Sequence, residues 1–310
     1  MSVILGIDTS NYTTSVALFD GERMLQKKQL LPVKAGGLGL KQSDAVFHHT
    51  QQLPKLCKEL FEEWNVRPEY VGVSTKPRNV EGSYMPCFTV GKCLAEGIAA
   101  AMNVPTCDWS HQHGHVAAAL YSCGRTDLLK QRFLAFHVSG GTTDALLVEP
   151  SETDVFAITQ VASSLDLKAG QAIDRVGVML GYGFPAGKAI DAAAQKSEKE
   201  FSVRPTIRGC DCSLSGIENQ CMKKFRDGES AEDIAKFCLL SVCAALDKMT
   251  GNLLEKYGDL PIVFAGGVMS NSIIRPRLEK KYGAFFASPE YSCDNAAGVA
   301  YLTYYKNLLK

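Results

Sequence analysis

His111-Gln-His113-Gly-His115 sets three imidazoles within five residues, and no other stretch of the chain concentrates so much potential chemistry. The apolar, Ala-rich run Val116 to Tyr121 behind it predicts a helix, in which residues four apart stack on one face. His111 and His115 can therefore hold one divalent ion between them while His113 points elsewhere. A site of this kind needs a third protein ligand and keeps positions open for water or substrate. The same spacing also fits one packed and one exposed histidine with no metal, and nothing inside the stretch decides between the two.

Three turns carry a different chemistry. Thr9, Ser10, Asn11, Thr13 and Thr14 lie between the apolar runs Val3 to Asp8 and Thr14 to Phe19, a hydroxyl-rich turn suited to phosphate oxygens. Ser139-Gly140-Gly141-Thr142-Thr143 repeats that arrangement between strands expected at 133–138 and through Val148. Gly266-Gly267 follows an apolar run, Pro261 to Ala265, and precedes a helix expected from Asn271, a junction where backbone amides approach a nucleotide closely.

The elements that must position these turns read as alternating strands and helices. Asp20-Gly21 predicts a hairpin and a third strand around Arg23 to Leu31. A flexible loop is expected at 36–39, then a helix capped by Ser43 that runs to Trp64 and is kinked or split at Pro54. A strand at 70–74 and a small-residue helix at 90–102 lead to the histidine stretch. Helices are expected around 171–180, 187–197, 214–225 and 234–257, with Asp294-Asn295 capping a last helix to Lys310. Two copies of one β-turn-β unit, each followed by helices, imply an α/β fold of two duplicated lobes facing across a cleft, with phosphate between the two turns. The expected division is 1–125, with the histidine pair, and 126–310, with a helical insertion and a last helix that packs back on the first lobe.

Length and composition agree with two lobes. At 310 residues the chain exceeds one ordinary core, and 46% hydrophobic with 21% charged residues is the balance of a globular protein. Net charge is zero, which excludes whole-surface attraction to nucleic acid. Lys223, Lys224 and Arg226, or Arg275, Arg277, Lys280 and Lys281, read either as local basic patches or as solvated helix faces. Eleven cysteines without a Cys-x-x-Cys pair form neither a disulfide framework nor a zinc ribbon. The N-terminus has no basic flank and no long apolar run, so no signal peptide, no membrane association and a cytoplasmic location are expected.

Taken in order, the motifs resemble the tRNA N6-threonylcarbamoyladenosine synthase family, part of the actin, sugar-kinase and heat-shock-chaperone superfamily. The carriers are Gly6-Ile-Asp-Thr-Ser10, His111-x-x-x-His115, Val138-Ser-Gly-Gly141, Asp166 to Asp174, Pro185-Ala-Gly187, Asp211-Cys-Ser-Leu-Ser-Gly216, Ala265-Gly-Gly-Val-Met-Ser-Asn271 and Asp294-Asn-Ala-Ala297. The resemblance implies two actin-like, ribonuclease H-like lobes and a metal-dependent transferase. It moves a threonylcarbamoyl group from an adenylate donor to N6 of a tRNA adenosine and releases AMP. It supplies Asp294 as third ligand beside His111 and His115, around iron or zinc. It places Ser139, Gly140 and Gly141 at the phosphate or acyl portion, and Asp174 and Asp191 at ribose hydroxyls. Gly187 falls against the nucleoside, Gly266 and Gly267 at the glycine junction, and Asn271 at the adenosine end. The partners it implies are tRNA, a catalytically inactive homologue and an ATPase.

The chain also departs from the family pattern. Asp8-Thr-Ser-Asn-Tyr-Thr13 stands where the family carries more carboxylates, and Lys76-Pro-Arg-Asn-Val-Glu-Gly82 replaces a glycine-proline loop. Thr142, His113 and Gln171 are further substitutions. A paralogous carbamoyl or acyl transferase with another acceptor, or a non-catalytic nucleotide-binding partner, are the readings these changes leave open. A metalloprotease is disfavoured, because no glutamate follows the first histidine as general base.

Overall fold

The computed structural model describes residues 2–10, 12–32, 40–293 and 296–308; the glycine loop expected at 36–39, Asn11 and the Asp294-Asn295 pair lie outside them. The chain divides into two units, one of Met1–Thr126, Ser151–Phe156 and Glu290–Lys310, the other of Asp127–Pro150 and Ala157–Pro289.

In the first unit, β1 (Ile4–Ser10) and β2 (Thr13–Phe19) are buried at every position, as strands covered on both faces must be. They pair antiparallel from Ile4 opposite Phe19 to Ser10 opposite Thr13. β3 (Met24–Leu30) continues the hairpin at the edge, and β4 (Tyr70–Lys76) and β5 (Thr106–Ser110) add in parallel on the far side of β1. The sheet order is β3-β2-β1-β4-β5. Side chains alternate across a strand, so Leu5 and Ile7 point one way, into a core shared with Leu53, Leu56 and Leu60 of α1 (Gln42–Glu63) and Ala95 and Ala99 of α2 (Phe88–Met102). Gly6 points the other way, towards α9 (Ala297–Leu308), where an added Cβ would lie 2.6 Å from Ala296 O. α3 (His111–Ser122) packs beside α9.

The second unit repeats the plan. β6 (Phe133–Val138) pairs antiparallel with β7 (Thr143–Ser151), β8 (Val155–Ser163) follows, and β11 (Ile262–Ala265) and β12 (Phe285–Phe286) add in parallel, giving β12-β11-β6-β7-β8. In each sheet three strands consecutive in the chain are followed outward from the first by two later, parallel strands. The duplication read from the two hydroxyl-bearing turns is thus repeated in strand order. A short hairpin, β9 (Thr206–Arg208) and β10 (Asp211–Ser213), forms a separate two-stranded sheet, bridged to Ser164 through the buried Cys212. The remaining helices are α4 (Ala169–Met179), α5 (Gly187–Ala194), α6 (Ser215–Arg226), α7 (Ala231–Tyr257) and α8 (Ile274–Tyr282). α7 is long and apolar enough to cross a bilayer, but it is largely buried and supplies much of the second core, from Ile234 to Leu253. Ser230 caps it by accepting from Asp233 N.

Of the two outcomes expected at Pro54, a kink or a split, the split does not occur: α1 runs through it, with Pro54 and Thr50, whose carbonyl it deprives of a partner, both on the exposed face, where water can satisfy that carbonyl. Ser43 is not the cap either, since Lys41 holds that position without a side-chain bond.

Candidate functional site

The residues at the start of α3 are fixed by its cap. Ser110 is the N-cap, its hydroxyl oxygen accepting from His113 N, and the same hydroxyl lies 2.7 Å from His113 Nδ1. His113 Nε2 reaches Phe156 O at 3.1 Å, and the two rings stack with 10° between planes. Both nitrogens of His113 are therefore used to hold the helix, and burial holds its pKa below the usual histidine value. His111 and His115 lie together on another face, ring centroids 4.3 Å apart and planes at 71°.

Behind His111 stands Asp8, at 0% exposure on the central strand of the sheet. Its Oδ1 faces His111 Nδ1 at 3.1 Å and accepts the hydroxyl hydrogen of Ser74 from β4. Nearby, His49 of α1 is fully buried. Its Nδ1 is 2.7 Å from Thr14 Oγ1, which donates to Gln52 Oε1, while Gln52 Nε2 donates to Leu30 O. Burial drives the His49 pKa down to about 4 against the opposing pull of Asp8. Thr9 Oγ1 donates to Cys87 O and accepts from Gly91 N, tying the first hydroxyl turn to α2.

No group of three or more His, Cys, Asp or Glu side chains poised for a metal occurs among the described residues. They supply two imidazoles a helical turn apart, one braced by a buried carboxylate, a donor set that fits iron or zinc given one further oxygen ligand. Asp294, expected as that ligand, lies outside the described residues.

The second unit holds the other expected residues. The turn after β6 is closed by Ser139 N donating to Thr142 O, with Ser139 Oγ accepting from Gly141 N and Thr142 N. Gly140 and Gly141 are exposed, and a Cβ on either would meet nothing within 4 Å. The first turn of α4 presses on this loop: Gly170 N donates to Ser139 O, and a Cβ on Gly170 would lie 2.7 Å from Gly140 N. At the end of β11, Gly266 has φ +102, and a Cβ there would meet Val138 O at 2.2 Å, so glycine is required; Gly267 beside it is exposed.

Three of the expected polar contacts are already committed to backbone. Asp174 Oδ1 accepts from Ala186 N at 2.8 Å and so fixes the start of α5 and Gly187; burial raises its pKa. Asp191 takes Ser272 through both oxygens, from the hydroxyl at 2.6 Å and from the amide at 3.1 Å. Asn271 Oδ1 caps α8 by accepting from Ile273 N and Ile274 N. Asp166, not picked out as a site residue, accepts from Leu167 N, Leu214 N, Ser215 N and the Ser215 hydroxyl, and so ties α4 to the segment before α6.

Residues 28–301 match the TsaD family, described as tRNA N6-adenosine threonylcarbamoyltransferase. The chain belongs to that family. A TsaD relative of that name from Thermococcus sibiricus is 30% identical over 306 residues, 96% of this chain and 90% of its own. Among solved structures, full-length HypF in its phosphate- and nucleotide-bound form superposes with TM-score 0.62 at 14% identity, over 100% of this chain but 56% of HypF. Component A of the Acidaminococcus fermentans (R)-2-hydroxyglutaryl-CoA dehydratase superposes with TM-score 0.58 at 17% identity, over 100% of both chains. Likenesses at such identities establish the fold, which is actin-like.

Sequence reasoning missed Asp8 and Ser74 as partners of the histidine helix, and His49. The available signal was a carboxylate closing a wholly apolar run, since a buried charge requires a partner.

Proposed function

We propose that this TsaD-family transferase carries a threonylcarbamoyl group from its adenylate to N6 of a tRNA adenosine. A new C–N bond forms at the carbonyl carbon, the bond to the phosphate oxygen breaks, AMP departs and the N6 proton is released. The observation that carries the reading is the His111–His115 pair, braced by buried Asp8, in a chain that matches the family along most of its length.

His111, His115 and Asp294 would hold the divalent ion, iron or zinc, which supplies Lewis acidity where negative charge develops on the carbonyl oxygen. The Ser139 hydroxyl and the amides of Gly140 and Gly141 would receive the phosphate or acyl oxygens. Gly187, Gly266 and Gly267 would admit the nucleoside against bare backbone. With Asp174, Asp191 and Asn271 engaged as described, the first two would meet ribose hydroxyls through remaining lone pairs and Asn271 the adenosine end through its amide nitrogen. An inactive homologue and an ATPase would complete the active assembly.

The test is reconstitution with tRNA, threonine, bicarbonate, ATP, an adenylate-forming enzyme of the matching kind and both partners, followed by mass spectrometry of nucleosides. Threonylcarbamoyladenosine is the expected product. Its absence, with a control enzyme active in the same mixture, overturns the tRNA acceptor and returns the choice to acyl transfer elsewhere.

A further inference from the structure

β4 ends at Lys76, which pairs with Ser110, the residue that caps the histidine helix. The chain leaves β4 in a loop that begins and ends beside His111. At the near end Pro77 O accepts from Gln112 N at 3.0 Å; at the far end Phe88, the first residue of α2, stands with its ring centroid 6.0 Å from that of His111. The loop between them has an internal frame. Ser83 N donates to Val80 O at 3.2 Å, Gly82 takes a left-handed turn at φ +74, and Ser83 Oγ accepts from Arg78 N at 2.9 Å. Its exit is anchored in a small core, where Cys87 and Phe88 are buried with Leu31 and Ala45.

This collar presents a particular set of side chains beside the histidine pair. Tyr84 is 65% exposed and Val80 61%, while half-buried Lys76 and exposed Arg78 set two positive charges against the one negative charge of Glu81. An aromatic ring held in water next to cations is the combination that holds single-stranded nucleic acid: the ring stacks an unpaired base and the cations meet the phosphates. The proposed reaction demands such a base, because an adenine N6 must leave its stack before it can meet a donor. We infer that Tyr84 is the stacking platform for the acceptor base, with Lys76 and Arg78 on the neighbouring phosphates. The inference rests on the RNA acceptor proposed above and names where on this chain that acceptor is read. A protein partner would use Val80 and Tyr84 as apolar groups only, with no need of a π face, and that difference can be measured.

The test uses the full-length protein and a fluorescein-labelled RNA hairpin with a single adenosine in its loop, compared by fluorescence anisotropy with the same hairpin made abasic at that position. Tyr84→Ala should bind the adenosine hairpin roughly tenfold more weakly and the abasic hairpin as the wild type does. Tyr84→Phe keeps the ring and should match the wild type, whereas Tyr84→Leu is apolar without a π face and should match Tyr84→Ala. Lys76→Ala should weaken both hairpins alike and lower the slope of log affinity against log salt by about 0.7. Thermal unfolding of the Tyr84 variants should stay at the wild-type midpoint, since the side chain lies mostly in solvent. Equal losses on the two hairpins in Tyr84→Ala, or no loss on either, overturn the inference. So does Tyr84→Leu binding like the wild type, which marks the loop as an apolar docking surface for a protein. In the reconstituted assembly, product from the wild type with an unchanged KM for RNA in Tyr84→Ala defeats the inference and leaves the acceptor reading standing. No product from the wild type defeats that reading, while the paired hairpins still judge Tyr84.

Discussion

Gly298 is the position where the histidine helix depends on the last helix of the chain. A Cβ built there would lie 1.9 Å from Gly114 O and 2.8 Å from Ala118 N, both backbone atoms of α3. Neither can swing aside, so Gly298→Ala must push α9 off α3 by about 1 Å or more. α9 cannot retreat freely, because on its sheet side Gly6 already brings β1 against Ala296 and Ala300, and Gly72 brings β4 against Thr303. Overpacking against backbone at this density costs about 3 kcal/mol, offset by roughly 1 kcal/mol from the better helix propensity of alanine. The net loss of about 2 kcal/mol should lower the midpoint of thermal unfolding by roughly 5 °C or more. Gly114→Ala is the matched control, since its Cβ would meet the Val299 Cγ2 methyl at 3.3 Å and Val299 N at 4.0 Å, an ordinary contact. There the propensity gain and the small side-chain adjustment nearly cancel, within about 1 kcal/mol. Trp109 reads the docking directly: it is 3% exposed and its indole N–H donates to Thr303 Oγ1 of α9 at 2.9 Å. In a Trp64→Phe background its emission should shift to the red in Gly298→Ala and stay put in Gly114→Ala. Equal stability and equal emission in the two variants would refute the close-approach argument.

Further outcomes follow from the same geometry. His111→Ala and His115→Ala should each lose bound metal by elemental analysis with the fold intact, whereas His113→Ala should keep the metal and lose stability, because its two hydrogen bonds and its stacking on Phe156 hold α3. Asp294→Asn should weaken metal binding roughly 10-fold or more, measured by chelator competition. His49, lowered from 6.5 to about 4 by burial, favours the folded state fully above pH 6.5, and that contribution disappears as pH falls to 4, a loss of about 3 kcal/mol. Urea unfolding at pH 7 and pH 4.5 should show the difference, reduced in His49→Leu; His113, lowered in the same direction, keeps part of the slope. At Asp166 burial would raise the pKa, but the Ser215 hydroxyl and the Leu214, Leu167 and Ser215 amides outweigh it and lower it. Asp166→Asn should therefore cost roughly 1 kcal/mol at neutral pH, and the gap to wild type should close as acid protonates the wild-type carboxylate below pH 3.8.

What the sequence made legible was periodic or local. β1, β2, α2 and α7 announced themselves by apolar runs, and the pair at His111 and His115 by helical spacing. The strands at 206–208, 211–213 and 285–286 are too short to have a period. β5 was missed although Cys107 and Trp109 are buried and Thr106 and Asp108 exposed, because one alternation over five residues is weak beside the histidines that follow it. The His111 partner was out of reach for another reason. Asp8 and His111 meet only after the chain has placed β4 between β1 and β5, and no local rule reports which strands become neighbours.

The second unit carries the converse lesson about assigning polar residues to a ligand. Asp174, Asp191 and Asn271 are the side chains that the resemblance nominates, yet each has an oxygen spent on an amide of the next segment, at Ala186, Ser272 and Ile274. A carboxylate that holds the first turn of a helix in place fixes where that turn's backbone lies. The residues left facing open space are Gly140, Gly141, Gly187 and Gly267, which have no side chain to offer. On the proposed reading, then, the donor is recognised chiefly by backbone amides and the Ser139 hydroxyl, and the three polar residues matter because they set the positions of those amides. Substituting them should disturb donor binding through displacement of α5 and α8 more than through loss of a direct contact, which is why a helix-capping replacement such as Asn271→Asp should be far milder than Asn271→Ala.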